Sequence, residues 1–294
     1  MIDDVEVTSA GEIIILDRVL RTVRVFDEDG SFLYSLPGYG QGPGEMELPI
    51  ALALVTEDLL YVFDQVNLIH RYQRRGGQFV FADRVRLDAS PVDACLNDGE
   101  VVIHTRTGSS ADVLRAVQSD GGFRLSFAVP YRYTLASRAY EAMSRGRIAC
   151  SGGLAILAFD LRNGIEAYRV DSGTLAWHAR FEGLAMTRVI ESKEGRKIET
   201  GVFNEPGAHW LSRLSGGTGT PLLVQYAYVT NHDYRERTGV TRIDTYAVDP
   251  QTGEGEFWGS SIDPLLYVSN EHAVFLRQDP YPQVIVASLP PLGH

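Results

Sequence analysis

Aromatic, arginine, histidine and amide side chains are concentrated in the connecting segments of this chain, where they could form a recognition surface. Such side chains combine a large, rigid contact area with directional hydrogen bonds, which is what binding surfaces use. We expect the following residues to contact a ligand or a protein partner: Tyr131, Arg132, Arg145, His209, Trp210, Asn231, His232, Asp233 and Tyr234. The sequence leaves an alternative open, in which these side chains only close off one end of the fold.

Motifs for covalent catalysis and for phosphate binding are absent from the sequence. There is no Gly-x-Ser-x-Gly elbow, and the seven histidines include no His-x-x-x-His pair. The glycine-rich segment Gly38–Glu45 has the wrong spacing for a dinucleotide fingerprint, because Pro43 stands where the last glycine is needed. We therefore interpret this segment as a turn between structural repeats.

The charge of the chain limits its partners. It has 294 residues and a formal net charge of -11, which disfavours nucleic acid and anionic membranes because both need clustered Lys and Arg. No apolar run reaches the ~18 residues of a membrane-spanning helix, so we expect no membrane insertion. The chain does not start with the basic region and apolar region of a signal peptide, so the sequence does not assign a localisation. The expected partner is an unidentified protein, peptide or small molecule.

A segment that occurs twice indicates which elements position the candidate residues. Gly11–Asp17 is followed by Val23–Asp27, and about 47 residues later Leu59–Asp64 is followed by Leu68–Tyr72. Each copy reads as an apolar strand ending in Asp, a short turn and an alternating strand. A period of this length with several strands per repeat is typical of a β-propeller.

Strand counting along the chain gives six repeats. We predict an all-β fold, a single six-bladed β-propeller domain over residues 1–294 with four-stranded antiparallel blades. The predicted blades cover about 5–37, 50–88, 92–129, 147–182, 209–260 and 263–290. The sixth repeat lacks a fourth strand, so either the chain is truncated at its N-terminus or the last blade has three strands. Residues 135–145 read as a short helical connector, and residues 191–199 as a solvated hairpin tip.

The two cysteines are predicted to be free thiols. Cys95 and Cys150 fall in the inner strands of neighbouring repeats. Inner strands of different blades are usually too far apart for the short Cα separation that a disulfide requires.

The first two repeats resemble those of NHL-repeat proteins, on the pattern Gly11, Asp17, Val23–Asp27 and Gly30, followed by Gly40–Glu45. They are most similar to a bacterial group of six-bladed propellers that shares the Gly-Pro-Gly-Glu loop. The resemblance covers roughly residues 5–87. It implies a six-bladed propeller, often in exported or periplasmic bacterial proteins, mostly without an assigned function.

Related lactonase-like and strictosidine-synthase-like propellers hold a divalent cation in the channel through carboxylate and amide oxygens from several blades. That likeness implies Ca²⁺ or Mg²⁺ ligands at Asp93, Asn270 and Glu271, whereas strand-end Asp and Asn are also common for turn reasons alone. We therefore predict a non-enzymatic ligand- or protein-binding propeller, or scaffold, that uses its loop-rich face and holds no cofactor. The alternative is a metal-dependent lactonase-like hydrolase. A third class is a structural domain of a larger sensor or envelope protein.

Overall fold

Strands make up nearly all the regular structure of this protein. The computed structural model describes residues 2–106, 112–118, 120–128, 142–191, 198–201, 206–216, 221–236, 239–261, 263–268, 272–277 and 283–288. Six antiparallel sheets, each a meander of consecutive strands, are arranged as blades in a ring. The predicted six-bladed β-propeller is therefore confirmed.

The blades follow one another in chain order. Blade 1 consists of β1 (Ile2–Val7), β2 (Ile13–Asp17), β3 (Thr22–Phe26) and β4 (Phe32–Ser35). Blade 2 consists of β5 (Pro49–Thr56), β6 (Leu59–Asp64), β7 (Leu68–Arg75) and β8 (Gln78–Arg86). Blade 3 consists of β9 (Pro91–Asn97), β10 (Glu100–Thr105), β11 (Leu114–Val117) and β12 (Phe123–Phe127).

The second half of the ring repeats this order with two additions. Blade 4 consists of β13 (Gly146–Ser151), β14 (Leu154–Phe159), β15 (Ile165–Arg169) and β16 (Leu175–Ala179). A separate hairpin of β17 (Arg188–Glu191) and β18 (Ile198–Gly201) precedes blade 5. Blade 5 consists of β19 (Gly207–Ser215), β20 (Leu222–Thr230), β21 (Arg242–Val248) and β22 (Gly255–Ser261), with helix α1 (Asn231–Glu236) between its second and third strands. Blade 6 consists of β23 (Leu265–Val268), β24 (His272–Arg277) and β25 (Gln283–Ser288).

Burial along the strands explains why these sequences form blades. In β3, Val23 and Val25 are fully buried while Arg24 is only half-buried, which is the two-residue period of a strand with one packed face. In contrast, all six residues of β14 are buried, because a second strand has a neighbouring blade on both of its faces. The outermost strands β4 and β22 are largely exposed.

The apolar core lies between adjacent blades rather than at the centre of the ring. One cluster joins Ile14 and Val25 of blade 1 to Leu52 and Val62 of blade 2. Another joins residues of blade 1 to residues of blade 6, with the members Val5, Ile13, Ile15, Leu266, Val274 and Leu276. The ring therefore closes by packing of blade 6 against blade 1, and β23 also contacts β1.

Several finer predictions are corrected or confirmed by the strand bounds. The last blade has three strands in the part of the chain that the structure describes, and β1 begins at Ile2 rather than at Val5. The predicted hairpin near 191–199 is confirmed by the pairing of β17 with β18, although residues 192–197 at its tip lie outside the described ranges. The connecting segment in which we placed the candidates Asn231 to Tyr234 is helical, because Asn231–Glu236 form α1. Of the predicted connector helix, residues 135–141 lie outside the described ranges and Ala142–Ser144 are helical.

The prediction of two free thiols is wrong. Cys95 in β9 and Cys150 in β13 form a disulfide with a Cα separation of 5.5 Å, which is within the usual range for a disulfide. The prediction overestimated the distance between inner strands, which converge on the central channel and contact each other directly.

Hydrogen bonding adds to this convergence. Asp93 in β9 accepts a hydrogen bond from the amide of Ile148 in β13.

No helix within the described ranges is long and apolar enough to span a bilayer.

Candidate binding site at the channel mouth

A cavity of about 680 Å³ lies at one end of the ring, where the connections from second to third strands and from one blade to the next meet. The meander places these two kinds of connection at the same end of every blade, because each strand reverses direction. Arg18, Arg106 and Asp160 follow second strands, whereas Arg145 and Arg147 lie where β13 begins. Residues far apart in sequence are thus brought to one wall of the cavity.

Arg145 and Asp160 form a loose ion pair across this wall. The Nε of Arg145 lies 3.8 Å from the Oδ2 of Asp160, and the Arg145 side chain is 67% exposed. Burial raises the pKa of Asp160, and the positive charges of Arg147 and Arg145 offset part of that rise. Exposed pairs at such a distance contribute little to stability, so Arg145 can turn towards a ligand at small cost.

Two buried polar side chains lie behind the arginines. The Nδ1 of His104 lies 3.2 Å from the carbonyl oxygen of Gly146, to which it donates a hydrogen bond. Burial lowers the pKa of His104 to about 4, so the ring is neutral at physiological pH. Ser144 also lines the cavity, and its buried Oγ has no hydrogen-bond partner within the described part of the chain.

His209 is held in the blade interior rather than displayed on the surface. Its Nδ1 lies 3.3 Å from the carbonyl oxygen of Ala185, and its Nε2 lies 3.0 Å from the Oδ2 of Asp244. Burial would raise the pKa of Asp244, but hydrogen bonds from Arg242, Ser260 and His209 outweigh it and lower the pKa. Both ring nitrogens of His209 therefore lie within hydrogen-bond distance of oxygen atoms of the protein itself.

The structure brings together some of the predicted site residues and separates others. Arg145, Trp210 and Tyr234 all line the cavity. His209 lies beneath the surface, and Tyr131 and Arg132 lie outside the described ranges.

Helix α1 contains the four remaining candidates, Asn231 to Tyr234. Asp233 serves the helix, because its Oδ2 accepts hydrogen bonds from the hydroxyls of Thr230 and Thr241. The hydroxyl of Thr230 in turn accepts from the amide of Asp233, which is the hydrogen bond that an N-cap residue makes to the third residue of a helix. Asn231 and His232 lie on the same short helix and do not line the cavity.

Sequence reasoning missed the residues that follow second strands, although a signal was present. Arg18 follows the strand end at Asp17, Arg106 follows β10, and Asp160 follows β14. Once a propeller is predicted, the position directly after each second strand is expected at the mouth, and these residues could have been selected on that ground.

Asp93, a predicted metal ligand, connects blade 3 to blade 4. Its Oδ1 accepts from the amide of Ala94 at 3.0 Å and its Oδ2 from the amide of Ile148 at 2.9 Å. Within the described ranges no group of three His, Cys, Asp or Glu side chains is arranged to hold a metal ion. The other two candidates, Asn270 and Glu271, lie outside those ranges.

Comparison with known proteins agrees with the fold. Residues 1–116 match a protein family described as a 6-bladed beta-propeller. A Bacteroides fragilis protein whose name predicts that it is exported aligns with a TM-score of 0.57 at 16% identity, over 93% of this chain and 78% of its own. The Cps50 (Swd1) β-propeller domain of Myceliophteria thermophila aligns with a TM-score of 0.55 at 11% identity, over 98% and 97%.

An enzyme is also among the similar structures. Virginiamycin B lyase from Staphylococcus aureus aligns with a TM-score of 0.52 at 11% identity, over 93% of this chain and 90% of its own. No curated protein is detectably similar in sequence. Identities this low show that the fold is shared and say nothing about activity. The chain is a six-bladed β-propeller with a polar, partly aromatic cavity at one mouth of its channel.

Proposed function

We propose that this protein is a non-enzymatic binding propeller that holds a small molecule or a peptide segment in the cavity at the channel mouth. The observation that carries the proposal is the cavity itself. Its volume of about 680 Å³ is within the range typical of ligand sites, and polar and aromatic side chains from several blades converge on it. The proposal assigns Arg145, Trp210 and Tyr234 to ligand contact.

The hydrogen bonds of the histidines near the cavity support binding over catalysis. His209 has both ring nitrogens directed at acceptors, and His104 donates to the Gly146 carbonyl. The alternative of a metal-dependent hydrolase has no supporting observation at Asp93, since both of its carboxylate oxygens bind backbone amides. The fold shared with a lyase does not favour catalysis, because propellers host many unrelated functions.

The proposal can be tested through the fluorescence of Trp210. The chain has three tryptophans, so a Trp177→Phe/Trp258→Phe variant leaves Trp210 as the only indole reporter. We expect at least one member of a mixed library of neutral, cationic and anionic metabolites and short peptides to change its emission. Binding of that compound, measured by calorimetry, should be lost in Trp210→Ala/Tyr234→Ala but kept in the Trp258→Phe variant. A library without any binder, or a binder unaffected by the double alanine variant, would contradict the proposal.

The disulfide supports the proposal that the protein functions outside the reducing cytosol. Disulfides persist mainly in oxidising compartments, and Cys95–Cys150 links two blades. The resemblance of the first blades to NHL-repeat proteins and the name of the similar B. fragilis protein agree with an exported or periplasmic location. Protein isolated from its native host with an alkylating agent and no reductant should show neither cysteine labelled. Labelling of both cysteines in freshly isolated, folded protein would argue against this location.

A further inference from the structure

The cavity at the channel mouth is rich in positive charge, although the chain as a whole carries a net charge of -11. The charged residues among the described residues that line it are Arg18, Arg106, Arg145, Arg147 and Asp160. Four guanidinium groups thus face one carboxylate. A concave site lined mainly by one sign of charge concentrates ions of the opposite sign.

The carboxylates near the cavity do not neutralise all of the arginine charge at its outer wall. The guanidinium of Arg147 interacts electrostatically with the carboxylates of Asp93 and Asp160, so its charge is largely used within the protein. Arg106 and Arg145, in contrast, lie exposed at the rim of the cavity. Arg145 has Asp160 as a partner only at 3.8 Å. The excess therefore lies where a ligand would enter.

An unpaired donor lies in the same wall. Ser144 is one of the residues that line the cavity and is only 2% exposed, and its buried Oγ has no hydrogen-bond partner within the described part of the chain. A buried hydroxyl without a partner is unfavourable, and a ligand oxygen would supply the missing acceptor. His104 adds no positive charge to this wall at neutral pH, since burial lowers its pKa to about 4.

We infer that the cavity binds an organic anion, in which an oxyanion group (carboxylate, sulfate or phosphate) is carried on a ring; this inference rests on the proposed function. Arginine forks match the planar geometry of such groups and bind them with paired hydrogen bonds. Trp210 and Tyr234 supply the aromatic surface for the ring. A second pocket of the channel is lined by the acidic residues Asp4 and Glu6 and by one arginine, Arg213, so the excess of arginine lies at the mouth that Trp210 and Tyr234 line.

A quenching experiment tests the charge of the site without knowledge of the ligand. In the Trp177→Phe/Trp258→Phe variant, iodide should quench Trp210 about twofold or more efficiently than caesium does, with acrylamide as the neutral reference. Adding Arg106→Ala/Arg145→Ala should remove most of that difference. Adding Arg75→Ala/Arg169→Ala, which removes the same charge from exposed strand ends on the opposite face, should leave it intact.

A binding experiment tests the ligand class. Calorimetry would compare glucuronate, glucose 6-sulfate and glucose 6-phosphate with neutral glucose, and at least one anion should bind about tenfold or more tightly than glucose. The Arg106→Ala/Arg145→Ala variant should lose that preference, while the Arg75→Ala/Arg169→Ala variant should keep it. The three anions distinguish a carboxylate site from a sulfate or phosphate site.

The outcomes separate this inference from the proposed function. If iodide quenches no better than caesium, or if no anion binds more tightly than glucose, the inference is wrong. A neutral or cationic library compound that still depends on Trp210 and Tyr234 would then leave the binding function in place. If no compound of any charge binds, both proposals fail together.

Discussion

Buried carboxyl groups in the channel show how strongly burial can control single residues. Burial raises the pKa of Asp93 to about 6, and burial together with the nearby carboxylate of Asp4 raises that of Glu6 to about 8. Burial lowers the pKa of His104 to about 4. Each of these groups makes the folding free energy depend on pH, because the folded and unfolded states bind protons differently.

Glu6 should dominate the pH dependence of stability above about pH 6.5. At lower pH two other groups act in opposite directions. The contribution of Asp93 to stability decreases as pH rises from 3.8 to about 6, and the contribution of His104 increases as pH rises from about 4 to 6.5. Their effects on the free energy of unfolding therefore largely cancel. Glu6 titrates near 4.5 in the unfolded chain and near 8 in the folded one. The folded state holds the extra proton in between, so stability decreases as pH rises towards 8 and is level beyond it.

The Glu6→Gln variant tests this assignment. We expect its melting temperature to change much less than that of the wild type between pH 6.5 and pH 9, and to exceed it at pH 9. Asp58→Asn, at an exposed turn carboxylate, is the control and should follow the wild type. Parallel curves for wild type and Glu6→Gln would show that Glu6 does not hold a proton in the folded protein.

At the scale of elements, the close approach of β13 to β14 depends on a residue without a side chain. A Cβ on Gly146 would collide with the carbonyl oxygen of Ala158 in the paired strand. Gly146 also accepts the hydrogen bond from His104, so a shift of its backbone would disturb the wall of the cavity. Backbone atoms cannot move aside as a flexible side chain would.

Gly146→Ala should therefore lower the free energy of unfolding by about 1–3 kcal/mol or more. Gly38→Ala is the matched control, because its Cβ would have one neighbour, the Arg21 carbonyl oxygen at 3.8 Å. That control should change stability by less than ~1 kcal/mol. Urea unfolding of the two variants measures the difference, and equal stability would mean that β13 and β14 are not packed this closely.

The strands of this fold could be predicted from sequence more completely than its connections. The alternation in β3 follows from local burial, so that strand could be found in the sequence, and the burial of all of β14 explains its apolar run. Helix α1 was missed because six residues are too few to show a helical period, and its residues Asn231 to Tyr234 were interpreted as surface contacts in a connecting segment. The cysteine pairing could not be predicted, since it depends on how closely β9 and β13 converge in the ring.

At the scale of the whole molecule, cross-links between blades oppose opening of the ring. The disulfide joins blades 3 and 4 at a sequence separation of 55 residues. A loop of that length should contribute about 4 kcal/mol by restricting the unfolded chain. We expect Cys95→Ala/Cys150→Ala to unfold at lower urea than the wild type, and reductant to shift the wild type towards the variant. A wild-type curve that is insensitive to reductant, together with a variant of wild-type stability, would rule out the cross-link.

Closure between the last and first blades relies on a side chain from blade 5. The Nε of Arg213 donates to the carbonyl oxygen of the buried Leu266 at 3.2 Å, and its second guanidinium nitrogen lies 3.8 Å from the Oδ1 of Asp4 in blade 1. Burial raises the pKa of Asp4, and Arg213 offsets part of that rise. One guanidinium group thus connects three blades at the point where blade 6 packs against blade 1.

Arg213→Met keeps the apolar stem and removes these contacts, so it should cost about 1–3 kcal/mol. Because Arg213 favours the ionised form of Asp4, the loss should grow as pH rises and Asp4 ionises, and Asp4→Asn/Arg213→Met should remove that pH dependence. Arg277→Met, which breaks an exposed pair with Asp263, is the control and should cost at most ~1 kcal/mol. If both single variants unfold at the same urea concentration, ring closure does not depend on Arg213 and rests on the apolar contacts between blades 6 and 1.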